Sequence, residues 1–561
     1  MAEIYEKYFK ESFEGGKLTD IKLEVPHDFN FAYDVVDEIA KEHPEDIALV
    51  HKSCEGEKTV FTFDAMRRLS NKTANMLMGL GVKRGDRVML ILKRRYEFWL
   101  SMLAIHKIGA VAIPSSHMVS SSDIRERVLA ASVKAVICVN SEDIVSNVVK
   151  AVSEPSEVPS ENECLNSIIK LCVGDKCEGF IDFDEAFAGC SEELSRHKTQ
   201  SSDDMLYYFT SGSSGSPKAV IHDFSYPIAH IYTAKYWHGS YAGGLHLTVA
   251  DSGWAKSAWG KIYGQWFVRA AIMVYDYDQF YAEDMLRLLA QEKVNTFCAP
   301  PTIYKYLVRE DFSKYDLSAL KQATTAGEAL PKEVAAKFFK GCGIKIREGF
   351  GQSETVLLIC VNAGEEGVPE SIGRKSPLFE LKLIDEEGNE VATGEEGEIA
   401  VCLENGKAPT GMFKGYLNDK DKYDEVVENG VYHTKDMAYK DEAGNYFFVG
   451  RNDDVIKSSG YRIGPSEVED VVNQHPAVFE SAATGYPSKT RGYLVKASIV
   501  LKEGYEPSSE LKTEIQEFVK ERAAIYKYPR MIEFVDDLPR TFNGKINRAM
   551  IRKKDKLAQK K

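Results

Sequence analysis

The chain predicts an α/β protein in two unequal parts: a large N-terminal domain of α/β sheet subdomains with a β-rich subdomain attached, then a small α/β C-terminal domain. Three observations carry this. Short apolar runs alternate with amphipathic helical stretches, the rhythm of parallel strands joined by right-handed crossovers. Beyond Leu378 the rhythm changes to short strands separated by tight turns. After Asp454 a compact mixed unit runs to Lys561. A length of 561 residues fits about four domains, or two large ones.

The elements follow in order. Residues 88–92 read as a buried strand after the turn Arg84-Gly85-Asp86. Residues 96–107 read as a helix with Phe98, Met102 and Ile105 on one face, and 109–113 as the next strand, stopped by Pro114. Residues 124–131 are helical and 135–139 form a strand again. The pattern recurs at 271–275, 285–291 and 294–299. Residues 153–202 are polar with weak periodicity and read as a surface excursion. Strands at 381–384 and 398–401, with turns at 385–389 and 393–397, define the β-rich subdomain. In the last unit, residues 508–522 read as a helix.

Composition narrows the function classes. Apolar residues make up 44% and charged residues 28%, ordinary for a globular chain, which excludes collagen, mucin and wholesale disorder. Lys and Arg total 71 against 85 Asp and Glu, a net charge of −14. An acidic surface repels phosphate backbones, so sequence-independent nucleic-acid binding is excluded. The charge is uneven: residues 1–453 hold 51 basic and 70 acidic side chains, and residues 454–561 hold 20 and 15. That basic excess points to an anionic ligand at the C-terminal end, although the lysine-rich tail at 552–561 accounts for it by itself. Residues 1–17 have no apolar core of signal-peptide length, and no stretch reaches the roughly 18 apolar residues of a membrane span, so no integral membrane segment is expected. Ten cysteines scattered through a long chain favour reduced thiols and a cytoplasmic location. Cys164, Cys172, Cys177 and Cys190 fall close together without paired knuckle spacing; they read as exposed thiols on a variable segment, ahead of a zinc site.

Four stretches carry chemistry. Thr210-Ser211-Gly212-Ser213-Ser214-Gly215-Ser216-Pro217-Lys218 follows a strand-like run. Hydroxyls and backbone N–H groups this dense can wrap phosphate oxygens, and Lys218 adds a cation. The spacing is not the Walker pattern, because Gly212 and Gly215 are too close and Ala219 follows the Lys. By composition alone a flexible Ser/Gly linker is an equal reading; the preceding strand and the Pro-Lys ending favour the loop. In Glu348-Gly349-Phe350-Gly351-Gln352-Ser353-Glu354, an aromatic between glycines can lie flat on a base, and a nearby carboxylate can hold magnesium. A turn with a satisfied Glu is the simpler alternative. Residues 450–464 surround one short apolar strand with polar residues, Arg451 and Arg462 among them, and a hairpin explains them equally. In Pro539-Arg540-Thr541-Phe542-Asn543-Gly544-Lys545 a Gly places Lys545 at the tip of a turn.

Together and in this order the four stretches resemble the superfamily of adenylate-forming enzymes, which includes acyl-CoA synthetases, luciferases and peptide-synthetase adenylation domains. The resemblance spans nearly the whole chain. It is nearest to AMP-forming medium-chain acyl-CoA synthetases in Ser459-Gly460-Tyr461-Arg462-Ile463-Gly464-Pro465-Ser466-Glu467-Val468-Glu469 and in Tyr526-Lys527-Tyr528-Pro529-Arg530. The activity it implies has two steps. A carboxylate attacks the α-phosphate of ATP to give acyl-AMP and pyrophosphate; the thiol of CoA, the acyl acceptor, then displaces AMP. The resemblance also implies Mg2+, a domain boundary at 453/454 with a hinge at Asp453, a mobile C-terminal domain, and a homodimer as an assembly the family allows.

Roles carry over by matching motif. Thr210, Ser211, Gly212, Ser213, Ser214, Gly215 and Lys218 would hold the pyrophosphate end of ATP. Glu354 would hold magnesium. Phe350 would stack on adenine within Glu348, Gly349, Gly351, Gln352 and Ser353, with Gly327, Glu328 and Ala329 along the other side. Asp436 would accept both ribose hydroxyls, and Arg451 would support ribose and phosphate. Lys545 would bridge the acid and the α-phosphate, then leave as rotation about Asp453 brings Ser459, Gly460 and Arg462 to the CoA channel. One departure stands out: the family usually has Gly where Lys435 stands, so Lys435 is expected either to pair with Asp436 or to point to solvent.

For the acyl group, acetyl-CoA synthetases carry a Trp at the position of Gly351, so its absence leaves room for several carbons. Trp254 and Trp259 fall where this branch lines its acyl pocket, and Trp259 could cap it from another side; both read equally as core aromatics. Short-to-medium acids, branched ones included, are expected over acetate and over long chains. Two rivals use the same motifs: a ligase that loads a carrier-protein thiol, and a non-catalytic nucleotide sensor on this fold.

Overall fold

The computed structural model describes residues 3–210, 218–458, 461–488, 492–523, 527–541 and 545–559. The expected strand at 88–92 is Arg87–Ile91, and it lies inside an eight-stranded sheet among the described residues. Val111–Pro114 and Asp204–Thr210 follow on one side, and Val133–Val139, Ile169–Val173 and Ile181–Asp182 on the other, all parallel. Lys218–Asp223 folds back antiparallel on Asp204–Thr210. The crossover helix Glu97–Ile108 is buried on every side, not on the single face its spacing suggests, because apolar side chains surround it. Its one ammonium, Lys107, is matched there by Asp37 at 2.8 Å and by Asn71 at 2.6 Å, as a buried charge requires. Gly109 ends the helix with φ 77°. The helix Ser121–Ala131 opens on a capping box between Ser120 and Asp123.

A second sheet of nine described strands contains Ile47–Ser53, Ala271–Asp276, Leu245–Thr248, Thr296–Cys298, Gln322–Ala326 and Ile346–Gly351 in parallel order. Leu357–Cys360 then returns antiparallel beside Ile346–Gly351. Strands Leu381–Ile384, Gly397–Cys402, Val431–Lys440 and Tyr446–Arg451 form the β-rich subdomain. The last unit has its own core around Ile456, Val468, Val495, Ile515 and Val519, and its helix Ser509–Arg522 is capped by the Ser508 hydroxyl.

Three expectations need correction. Residues 153–202 are not a mere surface excursion: Ile169–Val173 is a strand of the first sheet with Leu171, Cys172 and Val173 buried. Lys170 breaks its apolar run and hides the signal. Cys172 is accordingly not an exposed thiol; it sits in register with buried Cys138. Residues 348–351 are not a turn, because strand Ile346–Gly351 runs through them, while Gly343 ends the preceding helix with φ 74°.

Candidate active site

The ends of these strands and the face of the C-terminal unit enclose a cleft of ≈ 1510 Å³. Strand Val431–Lys440 delivers Asp436, which is 5% exposed. Gln352, just beyond strand Ile346–Gly351, donates from its amide to the Asp436 carboxylate and to the Thr434 carbonyl at 2.8 Å. Tyr432 donates to the other end of that amide at 2.6 Å. Arg451 faces Asp436 across the strand pair, Nη1 to Oδ2 3.8 Å, and reaches Asp453 at 3.3 Å. Burial holds the Asp436 carboxyl up at about 6 against the opposing pull of Arg451 and Gln352. A fixed, bidentate acceptor of this kind suits a vicinal diol.

Phe350 lies beside Phe448 with ring centroids 5.8 Å apart, forming one apolar wall. Gly327 has φ 100°, a left-handed backbone that favours glycine, and a Cβ built there would stand 3.6 Å from Lys545 Nζ. Lys545 comes from the C-terminal unit, yet its ammonium enters the cleft beside Gly327, Glu328 and Ala329. Glu328 accepts from Thr302 at 3.2 Å. Burial pushes the Glu348 carboxyl up to about 8.

Glu354 accepts from the Tyr416 hydroxyl at 2.9 Å, and burial raises its carboxyl above the usual range. The half-buried Glu354 carboxylate, with one oxygen engaged by Tyr416, is open to a cation at the cleft. No group of three or more His, Cys, Asp or Glu side chains among the described residues could hold a metal ion. A single carboxylate suits magnesium, which keeps most of its shell as water and phosphate oxygens. Thr210 and Lys218 line the same cleft end. Ser211, Gly212, Ser213, Ser214, Gly215, Ser459 and Gly460, expected at the nucleotide and CoA sites, lie outside the described residues. Arg462 is described only in its backbone, paired with Lys457 in a hairpin.

Lys435 does not pair with Asp436, whose carboxylate is faced by Gln352 and Arg451. Lys435 has φ 62°, the left-handed region that favours glycine. On the acyl side, the room left by Gly351 is already taken. A Cβ built on it would stand 2.5 Å from Trp259 Cη2. Trp259 is 5% exposed and meets Trp237 edge-on at 6.1 Å. Gly351 lines the cleft, whereas Trp254, half-buried, and Trp259 do not.

Residue spacing did not point to Tyr416, which reaches the cleft from a distant segment, or to Trp237, which donates to the Glu348 carbonyl behind it at 3.2 Å. Lys256 donates to the Ala326 carbonyl at 3.0 Å, next to Gly327. A Gly-Tyr pair such as Gly415-Tyr416 carries no local signal of a partner more than sixty residues away.

The cleft thus brings Asp436, Glu354 and Phe350 of the N-terminal part together with Lys545 arriving from the C-terminal unit. The AMP-binding enzyme family model matches residues 36–417, and the AMP-binding enzyme C-terminal domain model matches residues 467–545. The human protein "Acyl-coenzyme A synthetase ACSM3, mitochondrial" is 36% identical over 96% of this chain and 91% of its own length. The rat protein "Acyl-coenzyme A synthetase ACSM5, mitochondrial" is 37% identical over 95% and 92%. Among solved structures, an anthranilate CoA ligase, AuaEII, in complex with anthranoyl-AMP superposes with TM-score 0.84 at 26% identity, over 96% of this chain and 99% of that one. An acyl-CoA synthetase from Brucella canis gives 0.70 at 29%, over 95% of each. This chain belongs to the AMP-binding enzyme family, within its acyl-coenzyme A synthetases.

Proposed function

We propose that the protein activates a short-to-medium-chain carboxylic acid, branched acids included, with ATP and Mg2+ and passes the acyl group to CoA. The observation that carries this reading is the meeting of Lys545 with Gly327 opposite the Asp436 clamp. Both lie in one cleft, as adenylate formation needs. Asp436 holds the ribose diol, with Gln352 and Arg451 fixing its carboxylate. Phe350 covers adenine. Glu354 would hold magnesium, which when bound would supply positive charge to the phosphates. Lys545 neutralises the charge that builds up between carboxylate and α-phosphate, an electrostatic contribution of the kind that dominates such steps. Rotation of residues 454–561 about Asp453 then exchanges Lys545 for Ser459, Gly460 and Arg462 and admits CoA.

Trp259 beneath Gly351 supports a pocket of limited depth. Discrimination per methylene is only about 1–3 kcal/mol, so neighbouring acids share the site. Ten free cysteines and the lack, among the described residues, of any helix long and apolar enough to cross a membrane accord with a reducing compartment; the cytoplasm and a homodimer belong to the same proposal. Acid-dependent ATP–pyrophosphate exchange across straight, branched and aromatic acids tests it, followed by CoA against a pantetheinylated carrier as acceptor. A clear acetate optimum overturns the acyl assignment, carrier preference overturns CoA, and no exchange with any acid points to a nucleotide sensor.

A further inference from the structure

Lys218 opens strand Lys218–Asp223 and lies over the Tyr416 ring at 5.9 Å, one residue away from the Glu354 carboxylate. Lys422, in the helix Lys420–Val426, and Lys435, beside Asp436, line the same end of the cleft. The acidic groups facing this trio are few. Asp419 accepts from the Lys422 backbone N–H at 3.0 Å and is thereby engaged as the helix cap. Glu425 pairs with Lys422 at 2.5 Å and is itself 60% exposed. The charges of Lys422, Lys218 and Lys435 all act to lower the Glu425 carboxyl. Burial, and then the charge of Lys422, lowers the Lys218 ammonium. Glu354, held by Tyr416, faces Lys218, and Glu398 takes the Lys435 backbone N–H. Of the neighbouring carboxylates Glu425 is thus the exposed one paired with a lysine of the trio, and three cations gathered at one cleft end favour an anion there.

We propose that Lys422 and Lys435 form, with Lys218, a second cationic wall that binds the pyrophosphate end of ATP and holds pyrophosphate after adenylate formation, with Glu425 as the stand-in anion it displaces. This rests on the nucleotide reading given above. It assigns to this chain two cations beyond Lys218. The wall strengthens ATP binding through its β- and γ-phosphates and slows the first product's release. It leaves AMP, which lacks those phosphates, unaffected.

The test is titration of magnesium pyrophosphate, and separately of AMP, into the full chain. Lys422→Gln and Lys435→Gly are each expected to weaken pyrophosphate about 3–10-fold, the scale of one charge-assisted contact near a surface, with AMP changed less than about twofold. Glu425→Gln removes the competing carboxylate and is expected to tighten pyrophosphate about 2–5-fold, a sign that misfolding does not produce. Lys435→Gly also suits the left-handed backbone at that position, so its loss of affinity is not a folding defect. Variants that bind pyrophosphate as the unmodified chain does, or that lose AMP equally, overturn the wall alone. Failure of the unmodified chain to bind either ligand overturns the nucleotide reading, and the wall with it.

Discussion

The two sides of the cleft are built in opposite ways. On the N-terminal side each polar group is held by another: Asp436 by Gln352, Gln352 by Tyr432 and Thr434, Glu354 by Tyr416. On the C-terminal side Lys545 is exposed and belongs to a unit with a separate core, reaching Gly327 from outside. Groups that bind one ligand throughout gain from being fixed in advance. A group that serves one step and then yields its place needs few ties. Lys545→Ala is therefore expected to have the largest and most selective effect. Acid-dependent pyrophosphate exchange should fall by about 10²–10³ or more, the cost of losing one transition-state charge partner. CoA-dependent consumption of supplied acyl-AMP should persist. Equal loss of both half-reactions would break the contrast.

The fixed side has a cost that can be measured. Burial keeps the Asp436 carboxyl near 6, above the usual 3.8 of an aspartate. The folded chain then holds a proton that the unfolded chain has released between those pH values, so this group's contribution to stability falls as pH rises from about 4 to about 6. Above pH 6 the charged carboxylate destabilises the ligand-free fold by up to about 3 kcal/mol, from about 1.4 kcal/mol per pH unit. Asp436→Asn should thus bind ATP about 10–100-fold more weakly, the loss of charge-assisted bonds. At pH 8 the same variant should be the more stable protein in denaturant melts, and the advantage should vanish by pH 4. A variant that is destabilised equally at both pH values would show that the clamp is a structural bond and not a preset binding site.

The acyl wall sharpens the contrast from a third direction, because it is fixed by packing. A methyl at residue 351 meets Trp259 Cη2 and the Val356 carbonyl, both at 2.5 Å. Gly351→Ala should cost about 1–3 kcal/mol by overpacking, read as a lowered thermal midpoint. Trimming Trp259 to Leu in that background should restore only part of it, since the Val356 carbonyl is backbone and cannot give way. Full restoration would mean the indole alone sets the fit.

How much of this was legible in the sequence follows the same division. That Asp436, Glu354 and Phe350 line one cleft was legible through the order of the motifs that carry them. The parallel strands at 87–91 and 133–139 were readable because both faces are buried and the apolar runs are continuous. What holds the motif residues was not readable. Tyr416 lies 62 positions from Glu354, and Gln352 lies 84 from Asp436, so no local pattern links them. Ile169–Val173 escaped notice because one lysine interrupts it, and the filling of the Gly351 space by Trp259 because shape complementarity leaves no trace in periodicity.

The smallest expected effect lies at a strained backbone position of the fixed side. Lys435 carries φ 62°, which costs an L-residue roughly 1–2 kcal/mol relative to the right-handed region. Its backbone is nonetheless held on both sides: its N–H donates to Glu398 at 2.7 Å, and its carbonyl accepts from Asn452 at 2.8 Å. A glycine keeps both bonds and relieves the strain, but loses about 0.5–1 kcal/mol through the freer unfolded chain. The net expectation for Lys435→Gly is a gain of about 0.5–1 kcal/mol in equilibrium denaturation. Stability and pyrophosphate affinity should therefore move in opposite directions in one variant. A loss of stability would mean that the lysine side chain stabilises the fold by more than its backbone strain costs, placing Lys435 with the fixed groups.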